Sequence, residues 1–203
     1  RASDKTRDGR TARKVLSYAT YLGLAPPPAV FRPFGISAMT IARNEELWAE
    51  LSVRSVMDSV DEVIVADHGS DDQTFEVLES LSKSYPAKIR LMRFTNERFD
   101  EAVNEMIAAT RYRWIFRWHG DFVARTSGSH SIAELRKRIE GMSPFRHFCI
   151  NLSGFALDGD LAHQFPNRRD KPEPFLYTYS PWLRYGIRER WESLRLPWFY
   201  EKL

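Results

Sequence analysis

From residue 36 the chain alternates short continuous apolar runs with longer stretches whose apolar positions recur every three or four residues. The runs Ile36–Ala42, Glu62–Ala66, Lys88–Phe94, Tyr112–Trp118 and Phe145–Leu152 are rich in β-branched and aromatic residues, and each predicts a buried strand. The stretches between them predict helices. In the first, Asn44 is an N-cap, Glu45 and Glu46 suit the opening turn, and Leu47, Trp48, Leu51 and Val56 fall at helical spacing. The second opens on a capping box, Ser70 to Gln73, with Phe75, Leu78 and Leu81 along one face. Phe99, Ala102, Val103, Met106 and Ile107 follow the i, i+3, i+4, i+7, i+8 rule. Ser131 to Glu134 is another capping box, and Leu135 and Ile139 continue that helix. Strands separated by helices of this length imply βαβ units, hence an α/β fold whose mostly parallel, Rossmann-like sheet is flanked by helices. Ligands of such sheets sit at the carboxyl ends of the strands, which selects Ala42–Glu45, Asp67–Asp72 and His119–Asp121.

Composition changes this picture little. A chain of 203 residues that is 43% hydrophobic can bury one substantial core. The net charge of +3 does not call for nucleic acid, whose binders concentrate basic charge in a stripe. The single cysteine, Cys149, cannot form an internal disulfide and fits a reducing, cytoplasmic setting. No apolar run approaches the roughly 18 residues of a membrane span. The start is polar and lacks Met, which suggests a piece of something longer. Residues 1–34 read as a basic N-terminal extension and a Pro-rich linker. Residues 1–14 hold six basic side chains against two acidic ones, Val15 to Leu24 suits a short helix or strand, and Pro26-Pro27-Pro28 is a stiff spacer. Residues 35–203 then form the domain proper.

Two segments carry candidate chemistry. In Val65–Thr74 the carboxylate of Asp67 ends a strand and can accept from a base N–H or a ribose hydroxyl. Gly69 allows a tight turn, and the next helix offers free backbone N–H groups to a phosphate. In Trp114–Phe122, Asp121 lies just past a buried strand, where it can hold a divalent cation shared with substrate phosphates. Taken singly, the first segment reads equally well as a capped Asx turn and the second as a Gly-Asp turn.

Together they resemble family 2 glycosyltransferases. Ile36 to Glu46 is similar to that family's opening strand and turn, and Val63 to Thr74 to its second strand with an Asp-x-Gly-Ser-x-Asp-x-Thr turn. Phe99 to Asn104 resembles the segment in which an Asn opens the last donor-side helix. His119-Gly120-Asp121 falls where the family carries Asp-x-Asp. The likeness spans roughly residues 36–125. It implies a GT-A fold and a glycosyltransferase that moves a sugar from a nucleotide-diphosphate donor, a UDP-sugar for preference, to a hydroxyl acceptor with inversion, in glycan or polysaccharide assembly. By the same resemblance Ala42, Arg43, Asn44 and Glu45 line the nucleobase and Asp67 meets it. Gly69, Ser70, Asn104, His119 and Gly120 complete the donor site, and Asp121 coordinates Mn²⁺ or Mg²⁺. The departure is His119 in place of the first Asp; it can ligate a metal through a neutral nitrogen or mark lost activity.

Beyond residue 150 the likeness fades. Asp158, Asp160, Asp170 and Glu173 are the carboxylates from which a catalytic base is drawn, Asp170 and Glu173 being the two carried forward. Each also reads as part of a surface turn or polar loop. His163 is a late metal ligand or a partly buried histidine. Pro181–Leu203 interleaves Trp182, Tyr185, Trp191, Trp198, Phe199 and Tyr200 with arginines. That pattern suits core packing, a missing neighbouring domain, or a peripheral contact at the inner membrane face near a lipid-linked acceptor. The alternative to a working enzyme is a non-catalytic GT-A module of a larger polysaccharide-assembly protein.

Overall fold

A computed structural model of the chain describes residues 15, 16, 18–157, 163–169, 173–188 and 191–203. Strands β1 (Ile36–Ala42), β2 (Glu62–His68), β3 (Ile89–Phe94) and β4 (Trp114–His119) lie parallel in the order β3-β2-β1-β4. Their alternate residues face two separate cores, so all seven positions of β1 are buried. This is why these strands read as continuous apolar runs rather than as alternating ones. Helices α1 (Ala49–Met57), α2 (Thr74–Ser84) and α4 (Ala133–Glu140) cover one face, where Val53, Val56, Leu78 and Ile139 meet Ala38, Val63, Val65 and Phe116. Helix α3 (Phe99–Ala109) covers the other, with Val103 and Met106 against Met39, Ile64 and Ile115. Each such side chain contributes about 1.5–3 kcal/mol by leaving water.

The chain winds outward through β1, β2 and β3 and then returns across the sheet to β4. Winding direction therefore reverses between β1 and β4, and that switch point leaves a crevice beyond the carboxyl ends of the strands. The sheet extends past β4 through β8 (Glu173–Thr178), which runs antiparallel to β4, then β5 (Phe148–Leu152) and β11 (Glu201–Lys202). Two hairpins stand apart from it: β6 (Phe155–Leu157) with β7 (Gln164–Arg169), and β9 (Arg184–Arg188) with β10 (Trp191–Arg195). The segment expected as a polar loop, Asn167 to Pro174, thus holds the end of one strand and the start of another.

The predicted helix starts need correction. Helix α1 begins at Ala49, not at Asn44, and α2 begins at Thr74 with no side-chain cap from Gln73. Leu47, expected on a buried helical face, is exposed. Residues 28–31 form a short 3-10 turn that packs the linker onto the domain, with Ala29 fully buried and Pro33 accepting a hydrogen bond from the Arg113 amide.

His147 precedes β5, is buried between the rings of Phe199 and Tyr200, and its Nε2 has no hydrogen-bond partner among the described residues. Burial pushes its imidazole down to about 4. The unfolded chain binds a proton near 6.5 that the folded chain refuses until about 4, so stability is present above pH 6.5 and is lost as pH falls toward 4. The loss is about 3 kcal/mol. Urea midpoints at pH 7 and pH 4.5 should show it, and His147→Phe should reduce the slope, leaving the part that the depressed His119 contributes.

Candidate functional site

Three strand ends converge at the switch point. Ala42 pairs with Asp67, and Ile41 with His119, so the β1, β2 and β4 exits lie side by side. Asp67 is fully buried. Its Oδ1 accepts the Ser70 amide at 3.2 Å, whereas Oδ2 has no hydrogen bond among the described residues and faces Arg93 Nε at 3.6 Å. A buried carboxylate oxygen left without a donor is costly unless a ligand supplies one. Arg93 also stacks over Phe75, its guanidinium carbon 4.0 Å from the ring centre. Nothing local in the sequence points to Arg93. It joins the site only because β2–β3 register sets it opposite Asp67.

The turns after β1 and β2 are laced together. Asn44 has a φ of 57°, a conformation Asn tolerates better than most residues. Its amide donates to Ser70 Oγ at 3.1 Å, and its side-chain Oδ1 accepts the Asp71 amide at 2.9 Å. The Glu45 amide donates to Thr74 Oγ1 at 2.7 Å, the Glu46 amide to Asp72 Oδ2 at 3.2 Å, and the Gln73 amide to Glu46 Oε2 at 3.0 Å. Asp72 also accepts from Thr74. The residues read as helix caps are therefore cross-loop ties that hold the expected base-binding turns in one shape. Gly69, at φ +69°, makes the turn that carries Asp67 into it. Thr74→Val removes a central tie without changing side-chain volume. We expect a two- to tenfold weaker affinity for a nucleotide ligand, from about 0.5–1.5 kcal/mol, with recovery in Thr74→Ser, read by isothermal titration.

Two small polar residues of α1 fix the β4 exit. Ser52 Oγ donates to the His119 carbonyl at 2.8 Å and accepts Trp118 Nε1–H at 3.0 Å, while Ser55 Oγ accepts the Ala124 amide at 2.9 Å. Neither was a sequence candidate, although two serines three apart on a buried helical face are a legible signal. A side chain at Gly120 would lie 3.1 Å from Ala42 Cβ, so glycine lets the β1 and β4 exits approach. Asp121 is exposed on this edge. Burial first, then the charges of Asp121 and Asp72, hold the Glu45 carboxyl above its ordinary range. His119 packs against Phe122 and Phe175, with ring centres 4.8 and 5.5 Å away. Burial, reinforced by Arg117, pushes its imidazole down to about 3, so it is neutral near pH 7.

The structure thus brings Ala42, Asn44, Glu45, Asp67, Gly69, Ser70, His119, Gly120 and Asp121 to one edge, with exposed Arg43 in the same loop. Asn104 stands apart. It lies in the middle of α3 rather than at its opening, and its amide is occupied by backbone: Nδ2 donates to the Tyr185 carbonyl at 3.0 Å and Oδ1 accepts the Tyr185 amide at 2.9 Å. Glu173 is exposed at the start of β8, two residues from Phe175. Asp170, Asp158 and Asp160 lie outside the described residues. His163 is exposed, and among the described residues no three His, Cys, Asp or Glu side chains are grouped to cage a metal ion. The donor set instead fits a cation held by one carboxylate and by substrate phosphates, since Asp121 is open and lies close enough for its charge to raise the Glu45 carboxyl. No helix among the described residues is long and apolar enough to cross a membrane.

Residues 37–134 match the model of glycosyl transferase family 2. No curated protein matches the chain. Among solved structures, a mannosyltransferase of Pyrobaculum calidifontis in complex with GDP-Man and Mn²⁺ is 17% identical, with a TM-score of 0.48 over 71% of this chain and 44% of its own. TarS 1-349 of S. aureus in complex with UDP-GlcNAc is 16% identical, with a TM-score of 0.45 over 65% and 37%. Glucosyl-3-phosphoglycerate synthase of Mycobacterium tuberculosis in complex with UDP is 20% identical, with a TM-score of 0.42 over 61% and 46%. The chain spans less than half the length of each.

Proposed function

We propose that this chain, whose residues 37–134 match the model of glycosyl transferase family 2, transfers a sugar from a nucleoside diphosphate to a hydroxyl acceptor, and that its donor is a UDP-sugar. The observation that carries this reading is the pairing, on one crevice edge, of a buried carboxylate with an unfilled oxygen, Asp67, and an exposed carboxylate, Asp121. Oδ1 of Asp67 is taken by Ser70, so one oxygen remains for the base. One acceptor suits the single imide N–H of uracil, whereas guanine presents two adjacent donors that call for both carboxylate oxygens. The Asn44–Glu46 turn, tied to Ser70–Thr74, walls the base position. The GT-A fold is shared by the family, and inversion at the anomeric carbon is carried over with it.

Asp121 would hold Mn²⁺ or Mg²⁺ at the diphosphate, with His119 as the neutral nitrogen beside it. Such a cation neutralises charge that grows on the leaving diphosphate. The acceptor hydroxyl must lose its proton to a carboxylate, and Glu173 is the described candidate at this end of the sheet; Asp170 is the other proposed. The acceptor is a glycan or a lipid-linked sugar, in polysaccharide assembly within the cytoplasm. UDP release from a panel of UDP-sugars should be detectable and should fall on adding EDTA. A correct donor at 100 times its dissociation constant should add about 2.7 kcal/mol of stability. A well-folded chain that binds no nucleotide under any metal condition would overturn the proposal.

One observation favours a non-catalytic module instead. The position the family gives to an acid is an uncharged histidine wedged against Phe122 and Phe175. That reading expects Asp121→Ala to leave product formation by the longer protein unchanged.

A further inference from the structure

We propose that residues 15, 16 and 18–24, together with Trp198, form a surface that docks on an anionic lipid bilayer. Residues 15–16 and 18–21 are helical, yet the segment turns its apolar side chains outward. Leu16, Tyr18, Tyr21, Leu22 and Leu24 are 47–78% exposed, and Trp198, against which Tyr18 and Tyr21 pack at 5.8 and 4.1 Å, is itself 57% exposed. Helices α1, α2 and α3 of the same chain bury their apolar faces, so this concentration of exposed leucine, tyrosine and tryptophan stands out.

Charge identifies the occupant. No acidic residue occurs between Asp8 and Glu45, whereas Arg10, Arg13 and Lys14 lead directly into the segment, and residues 1–14 carry six basic side chains against two acidic. A neutral apolar partner would leave such a run unpaired. Anionic headgroups pair with it, and tyrosine and tryptophan favour the boundary between headgroups and acyl chains. Trp198 precedes β11, which starts level with the beginning of β5 and therefore at the end of the sheet opposite Asp67 and Asp121. Docking there leaves the donor crevice open to solution. The surface stands independently of the donor reading.

Co-sedimentation of the 203-residue chain with vesicles of phosphatidylcholine alone, and of phosphatidylcholine mixed with phosphatidylglycerol, tests the proposal. Binding is expected only with the anionic lipid, weakened roughly tenfold between low and half-molar salt. Leu22→Glu with Leu24→Glu changes two exposed side chains, so the fold should survive, as circular dichroism would show, while sedimentation with vesicles is lost. Failure of the wild-type chain to bind anionic vesicles would overturn the proposal, as would equal binding by the double variant. Self-association that the double variant disperses, without vesicle binding, would assign the surface to contact between copies and equally refute the lipid.

Discussion

Asp67→Asn weakens UDP binding by about a hundredfold while the fold survives. The carboxylate is fully buried, and the amide replaces it with little change of shape. An amide in the same pose can still accept the Ser70 N–H through its oxygen, as Oδ1 does now. Its nitrogen then occupies the position of Oδ2, where it meets the base N–H donor to donor. Arg93 loses its counter-charge at the same time. A hydrogen bond to a charged group contributes about 1.5–3 kcal/mol, which is roughly ten- to 150-fold in affinity. Isothermal titration with UDP measures the loss, and thermal melting of the unliganded variant controls for folding. Affinity within about twofold of the wild type would remove Asp67 from the base site.

Asp121→Asn should lower sugar transfer by about 10²–10³-fold, the scale on which loss of one charge-stabilising group acts. The variant tests more than rate. Asp121 is the exposed carboxylate whose charge reaches Glu45, and with it gone the reason for Glu45 to sit above its ordinary range is partly removed. The variant should therefore bind Mn²⁺ more weakly by electron paramagnetic resonance, and its residual activity should no longer respond to EDTA. Unchanged Mn²⁺ binding in the presence of UDP would show that the cation is held elsewhere.

The parallel half of the fold was legible because its strands are buried on both faces, so Ile36–Ala42 and Glu62–Ala66 announce themselves without any partner in view. Helix α3 was equally plain, since its apolar spacing is uninterrupted. The helix starts were misread because Asn44, Ser70 and Asp72 are good caps by composition but spend their hydrogen bonds across two loops. Local sequence cannot show a partner about 27 residues away. Arg93 was missed for the same reason, because only strand register brings it to Asp67. The strands after residue 160 were missed for a different one. Gln164–Arg169 and Glu173–Thr178 are interrupted by prolines and charges, and their pairing is antiparallel and irregular, so no simple apolar period marks them. Glycine at 120 and serines at 52 and 55 are small residues whose value lies in what they let approach, which a search for reactive side chains passes over.

The most direct test of the account is a crystal structure of the chain with UDP and Mn²⁺. The predicted result is uracil N–H on Asp67 Oδ2, the base walled by the Asn44–Glu46 turn, and the diphosphate with its cation beside Asp121. A nucleotide bound anywhere else on the molecule would contradict it.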